Sequence, residues 1–355
     1  MKNKYLNILL IFILGCFSSL NGQQTTEFGF LRENIVLINP AFFNYSFIED
    51  NSVRQNITAY HKQQWLDTYE GPVISNVRFE KISVQNGSFP VRPKIKWGFG
   101  VEQNNLANGQ VKELGISFNY GYHLNLSDQL TLTSGLLVKG LQDSYNVNPN
   151  SLQHEDDEVF LPGNNWSGMI DLGIVLRKKV VIKNSSIESW YLGLSGNQVR
   201  GVSFSELGFV NSRPMQLNLI LGCFMGRDLT GNGLLNYLEP MVLVRYIPPF
   251  NGEKFEGFLS PFLGGDFKVP FNIDFNVRYS RRESFFIGTG LGWAGNINFE
   301  TGYQFKNISG MNKMKYKIGI LGSMPLINFN LIKNNKQLFT LPSAELFFSV
   351  SLGRN

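Results

Sequence analysis

Between Val111 and Leu126 the chain alternates without a break. Leu114, Ile116, Phe118, Tyr120, Tyr122, Leu124 and Leu126 are apolar or aromatic, and Glu113, Gly115, Ser117, Asn119, Gly121, His123 and Asn125 between them are polar or glycine. A period of two places the two sets on opposite faces of a β-strand. The run exceeds the usual strand of about 5–6 residues and suits one that crosses a bilayer, which needs about 9–11. The pattern recurs at 271–280, 287–293, 297–306 and 346–352. Lipid cannot satisfy a free strand edge, so a sheet of such strands has to close on itself.

The sequence therefore predicts an all-β chain folded as a transmembrane antiparallel outer-membrane β-barrel. The competing architecture is a soluble β-sandwich. About 14 candidate strands fall between Val53 and Gly322, and 16 result if 323–355 adds a hairpin. The apolar set is expected to face lipid and the polar set the lumen. On that basis Phe118→Arg is expected to be costly and Ser117→Arg less so, provided the lumen has room. Gly288, Gly290 and Gly292 fall on the polar face, where they leave space for a plug or a close side chain. Ser127-Asp128-Gln129 and Gly295-Asn296 read as tight turns, and the longest polar stretch is Gln142 to Asn165. Short turns at one end and long loops at the other are the barrel arrangement.

Composition agrees. Aromatic residues make up 14% of the chain and charged residues only 17%, with 36 glycines, against about a quarter charged in ordinary globular chains. No apolar run after residue 22 is long enough for a membrane helix. Trp97, Trp166, Trp190 and Trp293 are candidates for interfacial girdles.

Residues 1–22 read as a secretory signal peptide, with Lys2 and Lys4 ahead of a short apolar core at 8–14 and cleavage expected after Gly22. A lipobox reading of Ile13-Leu14-Gly15-Cys16 competes, although Leu14 is bulky for it. Removing the leader takes away two of the five excess positive charges, and the balance left does not suit nucleic-acid binding. Cys223 then stands alone, so no internal disulfide forms. The expected division is signal peptide 1–22, an N-terminal periplasmic or lumenal segment 23–52, and a barrel over 53–355.

Enzyme signatures do not assemble. No Ser/His/Asp set, H-E-x-x-H or G-x-S-x-G motif is present, and no catalytic, cofactor or metal residue is assigned. His123 reads as a hydrogen-bonded lumen residue. The run His154-Glu155-Asp156-Asp157-Glu158 has the carboxylates for a divalent cation, but a solvated acidic loop is the simpler reading.

Ahead of the first strand comes "NIVLINPAFFNYSF", then "TAYHKQQWLDTYEGPVISN". Pro40 cannot donate to a ladder and pushes Asn39 toward an extended conformation. Ile38-Asn39-Pro40-Ala41 is thus expected to pack into or under the barrel outside the ladder. Tyr60 to Trp65 would form the first strand and its outer end, and Gly71-Pro72 the turn into a second strand near Val73. The combination resembles the PorP/SprF family of outer-membrane proteins, associated with type IX secretion and gliding motility in the Bacteroidetes. The positions that carry the resemblance are Asn39, Pro40, Ala41, Tyr60, Lys62, Gln64, Trp65, Gly71 and Pro72. "INFETGYQFKNISGMNKMKYKIGIL" also resembles the family's penultimate and last strands. Phe42, Phe43 and Asn44 depart from it, because the family usually has glycine soon after N-P-A. The resemblance implies a barrel that assists secretion or surface anchoring of a large partner such as an adhesin, together with type IX components and outer-membrane lipid, and makes the motif residues partner-docking candidates. A porin or transporter for small or hydrophobic solutes is the rival function.

Overall fold

Fourteen strands, each hydrogen-bonded antiparallel to its neighbours, close into one barrel. The computed structural model describes residues 31–42, 53–64, 72–84, 94–106, 111–145, 163–180, 186–203, 215–226, 236–246, 271–281, 284–292, 296–309, 312–325 and 343–354. The leader with Cys16, as well as Trp65, Gly71, the run 154–158 and Trp293, lie outside these residues. The strands are β1 (Val53–Gln64), β2 (Val73–Val84), β3 (Lys94–Leu106), β4 (Val111–Asn125), β5 (Leu130–Tyr145), β6 (Gly163–Lys179) and β7 (Ile187–Ser203). They continue as β8 (Gln216–Gly226), β9 (Asn236–Tyr246), β10 (Phe271–Arg281), β11 (Phe285–Gly292), β12 (Asn296–Ser309), β13 (Asn312–Pro325) and β14 (Ser343–Arg354).

The total matches the alternation, but its distribution does not. Fourteen strands are expected by Gly322, and the structure has thirteen by Pro325. Among the described residues the C-terminal stretch supplies one strand, not a hairpin. With thirteen alternating strands the first and last would run parallel. β14 gives β1 an antiparallel partner, in unbroken register from Gln55↔Leu352 to Gln64↔Ser343. The stretch 297–321 accordingly forms β12 and β13, with β14 still to follow.

β4 realises the alternation directly. Leu114, Ile116, Phe118 and Tyr120 are exposed on the outside, while Glu113, Ser117 and Asn119 are buried inside. Trp97, the fourth residue of β3, stacks edge-on with Phe79 at 5.7 Å and Phe99 at 5.9 Å, with the Lys81 ammonium over its ring at 5.8 Å. Trp97 and Trp190 lie near one end of the barrel, and Trp166 near the other. Two aromatic belts flanking an apolar band are what a membrane-embedded wall requires.

Both barrel termini share one end with the connections 85–93, 126–129, 180–186, 227–235, 282–284 and 310–311. The opposite end carries 65–72, 107–110, 146–162, 204–215, 247–270, 293–295 and 326–342. The 126–129 turn is closed by Leu126 N–H to Leu130 O at 2.8 Å and by Leu130 N–H to Ser127 Oγ at 3.1 Å. The short connection before Asn296 proves to share the end of the long connections. The longest interval between strands is 247–270, because β5 and β6 absorb both flanks of the stretch from Gln142 to Asn165.

The lumen is filled around Ser117. A Cβ on Gly100 would come within 2.6 Å of Ser117 Oγ and 3.0 Å of Arg78 Cγ. Arginine at 117 therefore has no space and would meet a like charge, so the proviso behind the mild Ser117→Arg expectation is not met. Phe118→Arg, at the midpoint of β4, is expected to destabilise the barrel by about 2–4 kcal/mol. Ser117→Ala is expected to cost under about 1 kcal/mol, because only one weak hydrogen bond is lost. Denaturant titration of the vesicle-inserted protein measures both.

Candidate functional site

Residues 31–42 are buried inside the barrel. A turn at 31–34 leads into a single helical turn, α1 (Ile35–Ile38). Pro40 explains why it stops: it carries no N–H, and it holds Asn39 extended at φ −141° and ψ 106°. The Asn39 side chain then works in both directions. Its Oδ1 accepts from Ala41 N–H at 2.9 Å, and its Nδ2 donates to the carbonyls of Ile174 at 3.2 Å and Leu194 at 3.1 Å on β6 and β7.

Three wall glycines admit this segment. Gly135 on β5 stands directly opposite Gly173 on β6, and Gly193 follows on β7. A Cβ on Gly135 would overlap the backbone of Pro40 and Ala41, and one on Gly173 would overlap the Asn39 amide. One on Gly193 would come within 2.8 Å of the Phe42 ring. Phe42, a departure from the family pattern, fills the remaining gap. Its ring meets Tyr191 edge-on at 5.6 Å, and its carbonyl accepts from Lys96 Nζ at 2.6 Å.

The plug is two-sided. Leu31, Ile35, Val36, Ile38, Ala41 and Phe42 form one apolar cluster with inward residues of β6 to β9, including Tyr191, Ile220, Phe224 and Leu243. Arg32 and Glu33 serve a buried charge network. Arg278 forks both ways, to Glu33 through Nη1 and Nη2 at 2.7 and 2.8 Å, and to Glu300 through Nε and Nη2 at 2.8 and 2.7 Å. Lys317 Nζ adds a bond to Glu33 at 3.0 Å. Arg32 donates to the Glu239 carboxylate at 2.8 Å, to the Glu239 carbonyl at 2.6 Å, to Glu300 at 3.3 Å and to Asn276 Oδ1. Tyr191 OH completes Glu239 at 2.8 Å. The Glu239 carbonyl lies beside Pro240, where the β8–β9 pairing skips from Gly222↔Met241 to Met225↔Leu238. Proline removes a ladder donor there, and the plug arginine bonds the adjacent carbonyl. Buried ion pairs of this kind hold only when each member keeps its hydrogen bonds.

The second half of the motif sits elsewhere. Tyr60 and Lys62 point inward from β1; Lys62 pairs with Glu345 at 3.1 Å, and Tyr60 packs with Ile74, Phe286, Leu321 and Phe347. Gln64 N–H donates to the Pro72 carbonyl at 2.9 Å and closes the hairpin into β2, which starts at Val73 as the Gly-Pro pair suggests. The structure thus places Asn39, Pro40 and Ala41 on the arc β5–β7, and Tyr60, Lys62 and Gln64 on β1. They do not form one patch.

Arg32, Glu33 and their partners on β9, β10, β12 and β13, which tie the plug to the wall, are the residues that sequence reasoning missed. Arg278 and Glu300 show only as polar members of alternating strands, and nothing local ties them to a segment over 200 positions away. His123 is hydrogen-bonded to Thr133 Oγ1 at 2.8 Å. Among the described residues no three His, Cys, Asp or Glu side chains gather to hold a metal ion.

Comparison with curated proteins found no match. Among solved structures the chain is similar to the toluene transporter TodX of Pseudomonas putida, with TM-score 0.47 and 8% identity over 95% of this chain and 100% of that one. It is also similar to the translocator domain of the autotransporter NalP from Neisseria meningitidis, with TM-score 0.43 and 10% identity over 87% and 92%. A Pseudomonas aeruginosa FadL homologue matches with TM-score 0.40 and 8% identity over 85% and 89%. The family model described as type IX secretion system membrane protein PorP/SprF matches residues 20–336, a span that takes in the plug and every strand except β14. The chain, an outer-membrane β-barrel, belongs to the PorP/SprF family of type IX secretion system membrane proteins.

Proposed function

We propose that this barrel is a plugged docking component of type IX secretion that assists the export or surface anchoring of a large partner protein such as an adhesin, without an enzymatic step of its own. The observation that carries the reading is the filled lumen. An open porin needs a continuous path, and residues 31–42 lie across it, bonded to the wall through buried charges such as Arg32 at 1% exposure and Arg278 at 0%. What remains for function is the surface of the wall and its ends. The partners that fit are type IX components, a secreted surface protein and the surrounding lipid.

The motif residues then divide by role. Asn39, Pro40 and Ala41 seat the plug. Gln64 and Pro72 close the first hairpin at the end of the barrel that carries the long connections, with Tyr60 and Lys62 behind them in the wall, and this hairpin, with Trp65 and Gly71 as the further candidates the family resemblance supplies, is where a partner docks.

Two measurements test this. Purification from outer membranes with mass spectrometry is expected to recover a large exported protein and type IX components, and the purified barrel is expected to be silent in planar bilayers. A conducting barrel that brings down no such chains overturns the reading. Trp65→Ala is expected to leave heat-modifiable folding intact and to reduce retention of the partner. Asn39→Ala with Pro40→Gly is expected to do the same by loosening the plug. Normal partner display in both folded variants would show that the motif only supports the fold.

A further inference from the structure

The two tryptophans near the end of the barrel that carries both termini each stand in register beside a lysine. Lys81 of β2 is opposite Trp97 of β3, and Lys178 of β6 is opposite Trp190 of β7. Trp166, near the other end, has Gln142 of β5 opposite it. Short turns mark the periplasmic end of a barrel, so both lysine–tryptophan pairs belong to the periplasmic leaflet. Tryptophan in such a belt sits at the level of the lipid headgroups, and the lysine beside it meets them.

The surroundings of the two pairs differ. Exposed Glu188 lies two residues before Trp190 on the same face of β7, so the Lys178 pair shares its face with a carboxylate. Lys81 lies in the row Gln55, Lys81, Trp97, Tyr120, in register across β1 to β4. Among the described residues, the outward positions of these four strands carry no Asp or Glu. The Lys81 ammonium lies over the Trp97 ring at 5.8 Å, a contact that orients it and leaves N–H donors to spare. The pair also opens onto a track of rings. Trp97 meets Phe99 at 5.9 Å, and Phe99 meets Phe118 at 5.2 Å. Phe99 and Phe118 are exposed. Phe118 is the midpoint of β4, so the track leads from headgroup level toward the middle of the wall.

We infer that the outer face of β1 to β4 binds one anionic phospholipid of the periplasmic leaflet, with its phosphate on the Lys81 ammonium and an acyl chain along Phe99 and Phe118. Gln55 and Trp97, on either side of the lysine in the row, bring further N–H donors. Charge selects the headgroup. Phosphatidylethanolamine carries its own ammonium, for which these four strands offer no outward carboxylate, whereas phosphatidylglycerol carries only the negative charge. The site lies on the outside of the wall, at the opposite end from the first hairpin, and stands independently of the docking reading.

Native mass spectrometry of the folded, detergent-solubilised barrel tests the site, by titration with phosphatidylglycerol and with phosphatidylethanolamine of the same chains. The first phosphatidylglycerol is expected to bind about fivefold more tightly than the first phosphatidylethanolamine, the scale of one lysine acting on an anionic lipid at the interface. Lys81→Gln is expected to abolish that preference and Lys81→Arg to keep it, whereas Lys178→Gln is expected to leave it unchanged. Heat-modifiable migration checks that each variant is folded. A photoactivatable phosphatidylglycerol gives a reading that needs no variant: its crosslinks to the wild-type barrel are expected on β2 to β4, and crosslinks spread evenly around the wall overturn the inference. Equal binding of the two lipids, or a preference that survives Lys81→Gln, likewise overturns it and leaves the row an ordinary interfacial belt. Glycerol phosphate, the headgroup without its chains, is expected not to displace the lipid; displacement at matching concentration would make this a site for a soluble anion and overturn the lipid assignment.

Discussion

Arg278→Met is expected to destabilise the folded barrel by about 3–5 kcal/mol, the cost of stripping one member from a buried ion network. Arg278 is fully buried and, among the described residues, is the one cation bonded to both Glu33 and Glu300. Its guanidinium also lies over the Phe286 ring at 4.5 Å. After the substitution Glu33 keeps Lys317 and Glu300 keeps Arg32 at 3.3 Å, so each carboxylate retains one cation where it had two. Low-dielectric surroundings make that loss expensive. Unfolding by denaturant in lipid vesicles measures the change. Adding Glu300→Gln to Arg278→Met is expected to recover much of it, because one cation and one carboxylate are then removed together while Glu33 stays on Lys317 and Arg32 on Glu239; the penalty comes from uncompensated charge and not from lost packing. A single-variant cost below about 1 kcal/mol, the scale of an exposed pair, would mean that water reaches the network.

Much of the wall was legible in the sequence because side-chain direction in a strand follows a strict period of two. Phe118 and Ile116 point outward, and Ser117 and Asn119 inward, as the alternation of β4 requires. Pro40 was legible for a different reason: a residue that fixes its own φ and restricts the one before it constrains structure locally, and Asn39 is extended as that rule demands. β14 was less clear, since a lone strand after a long connection looks the same as half a hairpin until closure is imposed. The seat of the plug could not be read at all. Gly135, Gly173 and Gly193 lie on three strands, and only the register, with Gly135 opposite Gly173, brings them under Asn39 and Pro40. Arg32 likewise reaches Glu239 across 207 positions. Local pattern carries no information about such pairs; they appear once the barrel has closed.

The glycine seat can be tested without touching the charge network. Gly135→Leu places a Cβ where the Pro40 carbonyl and the Ala41 nitrogen now lie. These are backbone atoms, held by Asn39 bonds to β6 and β7, and they cannot rotate aside as a side-chain tip would. Overpacking of this kind costs about 1–3 kcal/mol, or about 5- to 150-fold in the ratio of seated to unseated plug. The wall itself keeps its ladder, and Arg278 keeps Glu300 at 2.7 Å when Glu33 leaves. The variant is therefore expected to insert and remain heat-modifiable, while trypsin cleavage after Arg32 accelerates by that factor and channel openings appear in planar bilayers. Gly140→Ala, in the same strand, adds a carbon with nothing within 4 Å of it and is expected to change neither reading. If Gly135→Leu folds, stays silent in the bilayer and still protects Arg32, then the glycine cradle does not hold the plug, and the charge network alone keeps the lumen closed.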